Sequence, residues 1–284
     1  MKLVAASNKA KISYVNLLKE DLAIFRIVPE DCKIPEYKAG QFLTLGISVA
    51  NEDFKTVRRA YSIASHPENR DYYEFVIRWV RKPLPGRVTT QLFYSSEGDE
   101  VTIGNPTGNA LTINDTLPDG RKDERRIVCI GGGTGIAPFV SFAKHLHAVG
   151  DKREVVVLHG ASYVDELSYR GLFTDLENES VDRGTDKWNF KYRAAVSRPQ
   201  EWFNRSWRGP TGRVENFLRA KDGGKSPLED LVGEKITREN TSFYICGWQG
   251  TIDGVMEFLK PLGFVTYHDK RDDDSFEVKY ESYG

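Results

Sequence analysis

The sequence predicts two domains in series, an antiparallel β-barrel followed by an α/β domain built on a parallel sheet. Three observations lead there. The first part of the chain is a succession of short β-branched and aromatic runs, separated by turn residues and without a strong helical period. From Arg126 onward, short apolar runs alternate with segments of helical spacing. Between the two rhythms lies NDTLPDGRKDERR, a polar stretch rich in turn formers. A chain of 284 residues has room for two domains of ordinary size.

In the first domain, strands are expected in KISYVNLLKEDLAIFRIVPE, QFLTLGISV, RRAYSIAS, YYEFVIRWV and DEVTIGNPTG. VTTQLFYS, which follows Pro85 and Gly86, is the best helix candidate there. In the second domain RIVCI, EVVVLHGAS, FKYRAAVSR and SFYICGW read as buried strands. The intervening helices are expected in PFVSFAKHLHAV, LSYRGLFTDLENE, VENFLRA and IDGVMEFLKPLG. AKDGGKSPLEDLVGEKITREN reads as a surface excursion ahead of the last of those strands. The boundaries that follow are 1–120, 121–265 and a C-terminal extension over 266–284.

Composition excludes several functions. Lys plus Arg is 40 and Asp plus Glu is 41, a balance that supports neither a nucleic-acid binder nor a polybasic membrane anchor. Cys32, Cys129 and Cys246 are far apart and form no C-x-x-C pair, so no structural zinc site and no iron–sulfur cluster are expected. The five histidines are scattered, without a metal-binding or acyl-transfer pattern. The N-terminus lacks a long apolar core and no run approaches about 20 apolar residues, so a cytoplasmic protein without membrane insertion is expected.

The chemistry begins at GGGTGIAPF, Gly131–Phe139, directly after IVCI. Gly131, Gly132, Gly133 and Gly135 permit a tight turn with close backbone approach. Pro138 suits a first helical turn. Strand, glycine loop and helix in that order present free N–H groups and a positive dipole end to a phosphate. The G-x-G-x-x-G fingerprint is incomplete, because Ile136 or Pro138 stands where its last glycine belongs. A second cluster lies in RAYS, where Arg59 and Tyr61 point to one face of a strand. A guanidinium can pair with a diphosphate, and a phenol ring can cover a flat heterocycle.

R-A-Y-S at Arg59–Ser62, G-R-V-T at Gly86–Thr89, N-P-T-G at Asn105–Gly108, GGGTGIAP and Y-I-C-G at Tyr244–Gly247 occur in this order. With them the chain resembles the ferredoxin–NADP(+) reductase family in its bacterial form, over about residues 10 to 265. The resemblance implies an FAD-binding barrel and an NADP(H)-binding α/β domain. By it, Arg59, Ala60, Tyr61 and Ser62 bind FAD, with Tyr61 against one face of the isoalloxazine. Val76 and Ile77 offer backbone contacts to the flavin, and Arg87, Val88 and Thr89 cradle its pyrophosphate at a helix N-terminus. Thr134 sits where flavin and nicotinamide meet, flanked by Gly133 and Gly135. Cys246 positions the nicotinamide and is no nucleophile. Ala161, Ser162, Gly247, Trp248, Gln249 and Gly250 complete the coenzyme site.

For the 2′-phosphate of NADP(H), the resemblance supplies Ser197, Arg198 and Arg213. Two positions depart from the family. Ser162 stands where many bacterial members carry arginine, so one phosphate ligand is missing or Arg170 replaces it. Trp248 stands where Asn or Pro is usual, and either packs beside the nicotinamide ribose or fills core. The tail resembles an extension whose aromatic covers the second flavin face, and spacing does not choose between Tyr280 and Tyr283. The activity implied is that of a ferredoxin–NADP(+) reductase, a monomer exchanging hydride with NADP(H) and single electrons with ferredoxin or flavodoxin. Lys55, Arg58, Lys82 and Arg87 are candidates for part of a basic, salt-sensitive docking patch. An NADH-dependent reductase of another acceptor, or a flavin-binding protein without turnover, remain as alternatives.

Overall fold

A computed structural model describes residues 7–49, 55–220 and 223–283. The chain divides into two compact units, residues 1–112 with 140–145, and residues 113–139 with 146–284.

The first unit is a six-stranded antiparallel sheet of order β4-β3-β6-β1-β2-β5. Its strands are β1 (Asn8–Lys19), β2 (Leu22–Pro29), β3 (Phe42–Val49), β4 (Lys55–Ser62), β5 (Tyr73–Arg78) and β6 (Glu100–Ile103). β1 and β2 form a hairpin in which Lys19 pairs with Leu22, leaving Glu20 and Asp21 as the turn. The two ends of the sheet curl together, since the Ala64 amide just beyond β4 donates to the Glu74 carbonyl of β5 at 2.8 Å. Inside lie Phe25, Leu43, Leu45, Phe75 and Leu92, each without solvent exposure. Each such side chain contributes about 1.5–3 kcal/mol by leaving water. Leu92 comes from α1 (Arg87–Phe93), the helix expected in VTTQLFYS.

The second unit carries a five-stranded parallel sheet of order β11-β10-β7-β8-β9. The strands are β7 (Arg126–Gly132), β8 (Val155–Ala161), β9 (Phe190–Val196), β10 (Thr241–Gly247) and β11 (Val278–Ser282). The four expected apolar runs became β7–β10 because helices cover both faces and each strand is buried nearly throughout. The helices are α2 (Ala137–Ala148), α3 (Arg170–Arg183), α4 (Pro227–Val232) and α5 (Gln249–Leu259).

Three segments differ from the sequence reading. VENFLRA forms a 3-10 turn over Val214–Leu218, not an α-helix. Its buried Val214, Phe217 and Leu218 are in the core cluster beneath it, and five residues are too few for a marginal α-helix. The described part of the excursion, 223–240, is anchored. Leu228 and Ile236 enter the core, and α4 begins with a reciprocal cap between Ser226 and Glu229. The tail adds β11 as a parallel strand beside β10, with Tyr280 opposite Ile245 and Glu281 opposite Cys246.

The polar stretch NDTLPDGRKDERR is also fixed. The buried Arg153 guanidinium donates to the carbonyls of Asn114 and Asp123 and pairs with Asp115 and Asp151. Arg125 pairs with Asp123 at 2.7 Å, and the Tyr244 hydroxyl accepts from the Asn114 amide at 2.9 Å. Turn formers set the local path, and long-range cations hold it.

Candidate functional site

In the second unit β7, β8 and β9 run outward in sequence order, and β10 then lies on the other side of β7. The order of strands therefore reverses between β7 and β10. In open parallel sheets, ligands bind beyond the carboxyl ends of the strands at such a point. The residues there are the glycine loop after β7 and Gly247–Gly250 after β10.

The loop continues β7 into a 3-10 turn over Gly133–Ile136 and then α2. Gly133 takes φ +56°, a conformation that favours glycine, and a side chain at Gly135 would meet the Cys246 carbonyl at 2.2 Å. Ile136, in one missing-glycine position, is fully buried, and its atoms lie 3.0 Å from where a Gly131 side chain would begin. The fingerprint is thus replaced by a different packing, in which the loop is pressed against β10. Thr134 is half-buried on this turn.

Tyr283 occupies the mouth of the loop. Its hydroxyl accepts from the Gly135 amide at 2.8 Å and donates to the Gly132 carbonyl. Its ring lies 5.8 Å from that of the exposed Trp248. Tyr280 does not reach the loop. It packs partly buried against the core cluster, with its ring 5.3 Å from His268. Strand alternation separates the two tyrosines.

Cys246 is buried, and burial first, then the Glu281 carboxylate, pushes its thiol well above the usual range. That environment suits positioning and opposes thiolate chemistry. Glu281 is the residue that sequence reading missed. One of its oxygens is buried without a hydrogen-bond partner among the described residues, and burial raises its carboxyl. Its signal was the alternation of the tail. His159, under the same loop, lies with Nδ1 3.3 Å from the Tyr192 hydroxyl, and burial pushes it down to about 4.

The ends of β8 and β9 form the second part of the site. The Ser197 amide donates to the Ala161 carbonyl at 2.9 Å. Buried Asn204, also missed from sequence, donates to the carbonyls of Ser162 and Arg198 and accepts from the Val164 amide. The Ser162 amide donates to Glu166. Exposed Arg198 donates to the Tyr163 hydroxyl at 2.8 Å, and Arg213 pairs with Glu215 at 2.5 Å. Arg170 lies over the Trp207 ring, 5.1 Å from its centroid. Gly250 is within reach of Arg213, whose Nη2 lies 3.7 Å from where a side chain there would begin. Gln249 donates to Asp253 on α5.

In the first unit, Arg59 and Ala60 are exposed on β4, with Tyr61 and Ser62 half-buried. The Tyr61 hydroxyl is buried with no hydrogen-bond partner among the described residues, and burial raises its pKa. An orphaned buried hydroxyl signals an absent partner. Val76 and Ile77 are buried on β5, a terminal strand whose outer edge is engaged at Glu74 by Ala64 and Ser65 and has no partner strand at Val76 among the described residues. Arg87 opens α1, which has no side-chain cap at Gly86, and Val88 and Thr89 are buried behind it. A strand edge without a partner strand at Val76, an uncapped helix start, a guanidinium and an orphaned phenol fit a cofactor with a heterocycle and a diphosphate. Lys55 has a side chain outside the described residues. Among the described residues no helix is long and apolar enough to cross a membrane, and no cluster of metal-ligating side chains occurs.

Comparison with known proteins agrees with both halves. The oxidoreductase FAD-binding domain family matches residues 9–111, and the oxidoreductase NAD-binding domain family matches residues 129–257. One component of the Na(+)-translocating NADH-quinone reductase from Serratia proteamaculans is 30% identical over 223 residues, covering 76% of this chain and 48% of that protein. The corresponding component from Pseudomonas aeruginosa strain PAO1 is 30% identical over 215 residues, 74% of this chain and 46% of its own. The chain thus spans about half the length of these curated relatives. Among solved structures, a Neisseria gonorrhoeae ferredoxin NADP+ reductase with bound FAD and NADP superposes with TM-score 0.75 at 22% identity, covering 98% of this chain and 99% of that one. The FAD/NAD-binding domain of a Vibrio cholerae nitric oxide dioxygenase gives 0.72 at 17% identity, with 98% of each chain covered. With both domain families matched in order, the chain belongs to the oxidoreductases built from an FAD-binding domain followed by an NAD-binding domain, and it shares the two-domain fold of the ferredoxin-reductase structure.

Proposed function

We propose that the protein is a reductase that exchanges hydride with a nicotinamide coenzyme and delivers single electrons to a ferredoxin- or flavodoxin-type carrier. The observation that carries this reading is the Gly135 amide, which offers its N–H to an oxygen at the switch point of the parallel sheet. A coenzyme phosphate or amide oxygen would take the place of the Tyr283 hydroxyl there. Arg59, Tyr61, Ser62 and the start of α1 would hold FAD, which when bound supplies the passage from paired to single electrons. The chain's own work is alignment and exclusion of water. Gly133–Ile136 and the Cys246 thiol shape one wall of the coenzyme site, and Tyr283 closes it when no coenzyme is present.

NADP(H) is supported by Ser197, Arg198 and Arg213 at the ends of the strands that follow the loop. A second reading, an NADH-dependent reductase, has its own observations. Ser162 replaces an expected cation, Arg170 lies over Trp207, and both Arg198 and Arg213 have a carboxylate beside them. The name of the relatives at 30% identity also specifies NADH. Docking of an acidic carrier is supported by Lys82 and Arg87, both exposed on the first unit, whereas Arg58 is half-buried and donates to Ser7.

The test is anaerobic titration of the FAD-loaded protein with NADPH and with NADH, followed by flavin absorption and then by transfer to ferredoxin and to flavodoxin. Rapid bleaching by NADPH and salt-sensitive transfer to either carrier are expected. Rapid bleaching by NADH alone selects the second reading. A protein that cannot be loaded with FAD would overturn both.

A further inference from the structure

Arg198 is held in a relay. Its Nη1 donates to the Tyr163 hydroxyl at 2.8 Å, and that hydroxyl donates to Glu201 Oε2 at 2.7 Å. Glu201 Oε1 lies 3.5 Å from the same guanidinium nitrogen. The arrangement is braced from behind. The Tyr163 ring packs edge-on against Phe203 with centroids 5.7 Å apart, and the guanidinium lies 5.4 Å from the Tyr163 ring centroid. Asn204, 2% exposed, donates to the carbonyls of both Arg198 and Ser162 and so ties the loops after β8 and β9 together. This is a preorganised carboxylate at the guanidinium that the resemblance assigns to a phosphate.

We propose that Glu201 is the coenzyme discriminator of this site, a carboxylate held on Arg198 through Tyr163 that a ribose 2′-phosphate must displace. A free ribose 2′-hydroxyl has no such conflict, because it can donate its hydrogen to the carboxylate. A 2′-phosphate meets like-charge repulsion and finds the guanidinium already engaged. Glu201 therefore shifts the site toward the coenzyme without the phosphate, and Arg198 is a phosphate ligand only when the relay opens. The proposal rests on the reading of the β8 and β9 loops as the coenzyme ribose site.

Calorimetric titration of the FAD-loaded protein with 2′,5′-ADP and with 5′-ADP, at low ionic strength, tests it without turnover. In Glu201→Gln the ratio of affinities is expected to move about fivefold toward 2′,5′-ADP, the scale of one exposed charge interaction. Tyr163→Phe cuts the relay at its middle and moves the ratio the same way. Arg198→Ala moves it in the opposite direction. If Arg198→Ala weakens 2′,5′-ADP while Glu201→Gln and Tyr163→Phe leave the ratio where it was, Glu201 has no discriminating role. If Arg198→Ala does not weaken 2′,5′-ADP, the placement of the ribose site itself fails, and the proposal falls with it.

Discussion

The hydroxyl of Tyr283 and the amide of Gly135 are joined by a hydrogen bond of 2.8 Å across 148 residues of sequence. The phenol thereby occupies a donor that a coenzyme oxygen would use. Tyr283→Phe removes the competing oxygen and keeps the ring. Coenzyme binding, measured as quenching of flavin fluorescence by NADP+ and by NAD+, should tighten about fivefold, the scale of one hydrogen bond. Weaker binding would show that the hydroxyl assists the coenzyme.

Gly135 has a second requirement. A Cβ there would sit 2.2 Å from the Cys246 carbonyl, which is backbone and cannot swing aside. Gly135→Ala should lower stability by about 1–3 kcal/mol, read from urea unfolding. Gly120→Ala is a poor control because Gly120 has positive φ, unlike Gly135, whereas Gly171 has ordinary φ and open space around its Cβ position. Gly171→Ala should leave the midpoint where it is or raise it. Equal midpoints for Gly135→Ala and wild type would mean that β10 and the glycine loop separate readily.

Tyr61 carries a buried hydroxyl without a partner among the described residues. Tyr61→Phe should therefore leave the apoprotein at least as stable as wild type, since no hydrogen bond is lost on removing the oxygen. If FAD supplies the missing partner, its affinity should fall by about fivefold in the same variant. Thermal melting of the apoprotein and fluorescence titration with FAD separate the two effects. A less stable apoprotein with unchanged FAD affinity would place the partner of this hydroxyl within the protein.

Burial lowers the His159 imidazole from 6.5 to about 4, so the unfolded chain binds a proton there before the folded one does. Stability from neutral His159 is fully present above pH 6.5 and is lost as pH falls toward 4, by about 3 kcal/mol in all. His159→Gln removes this titration. Its denaturation midpoint should change less steeply with pH than that of wild type across that window. Parallel profiles would show that His159 has an ordinary pKa in the fold.

Arg153, 5% exposed in its side chain, joins Asp151 and Asp115 and donates to two main-chain carbonyls of the stretch between the matched families. Arg153→Ala leaves the half-buried Asp151 and two main-chain carbonyls without their donor and should cost about 3 kcal/mol. Limited proteolysis should then cut near residues 114–123 before the rest of the second unit. Cleavage at the wild-type rate would indicate that the stretch holds its path without the guanidinium.

Local chemistry was sufficient for much of this fold. The apolar runs of β7–β10 can only be strands covered on both sides, and the glycine loop can only be a tight strand-to-helix turn. Arg59, Tyr61, Arg198 and Arg213 stood out as candidates because their short motifs occur in order along one chain. Periodicity overreached at Val214–Leu218, where three buried apolar residues pack as a 3-10 turn. The polar excursion hid Leu228 and Ile236, because two core residues among many polar ones leave no pattern.

The sequence by itself determined the two-domain order, the class of each sheet and the tight glycine turn after β7, since each depends on residues close together in the chain. Tertiary structure alone decided which tyrosine meets the glycine loop, because the parallel pairing of β11 with β10 sets which side chains face it. It also decided that Glu281 lies against Cys246 and that Glu201 reaches Arg198 through Tyr163. Those relations join residues tens or hundreds of positions apart, or depend on how a loop folds back, and no local spacing encodes them. Sequence shows the arginines, and the fold alone shows the carboxylates beside them, Glu201 at Arg198 and Glu215 at Arg213.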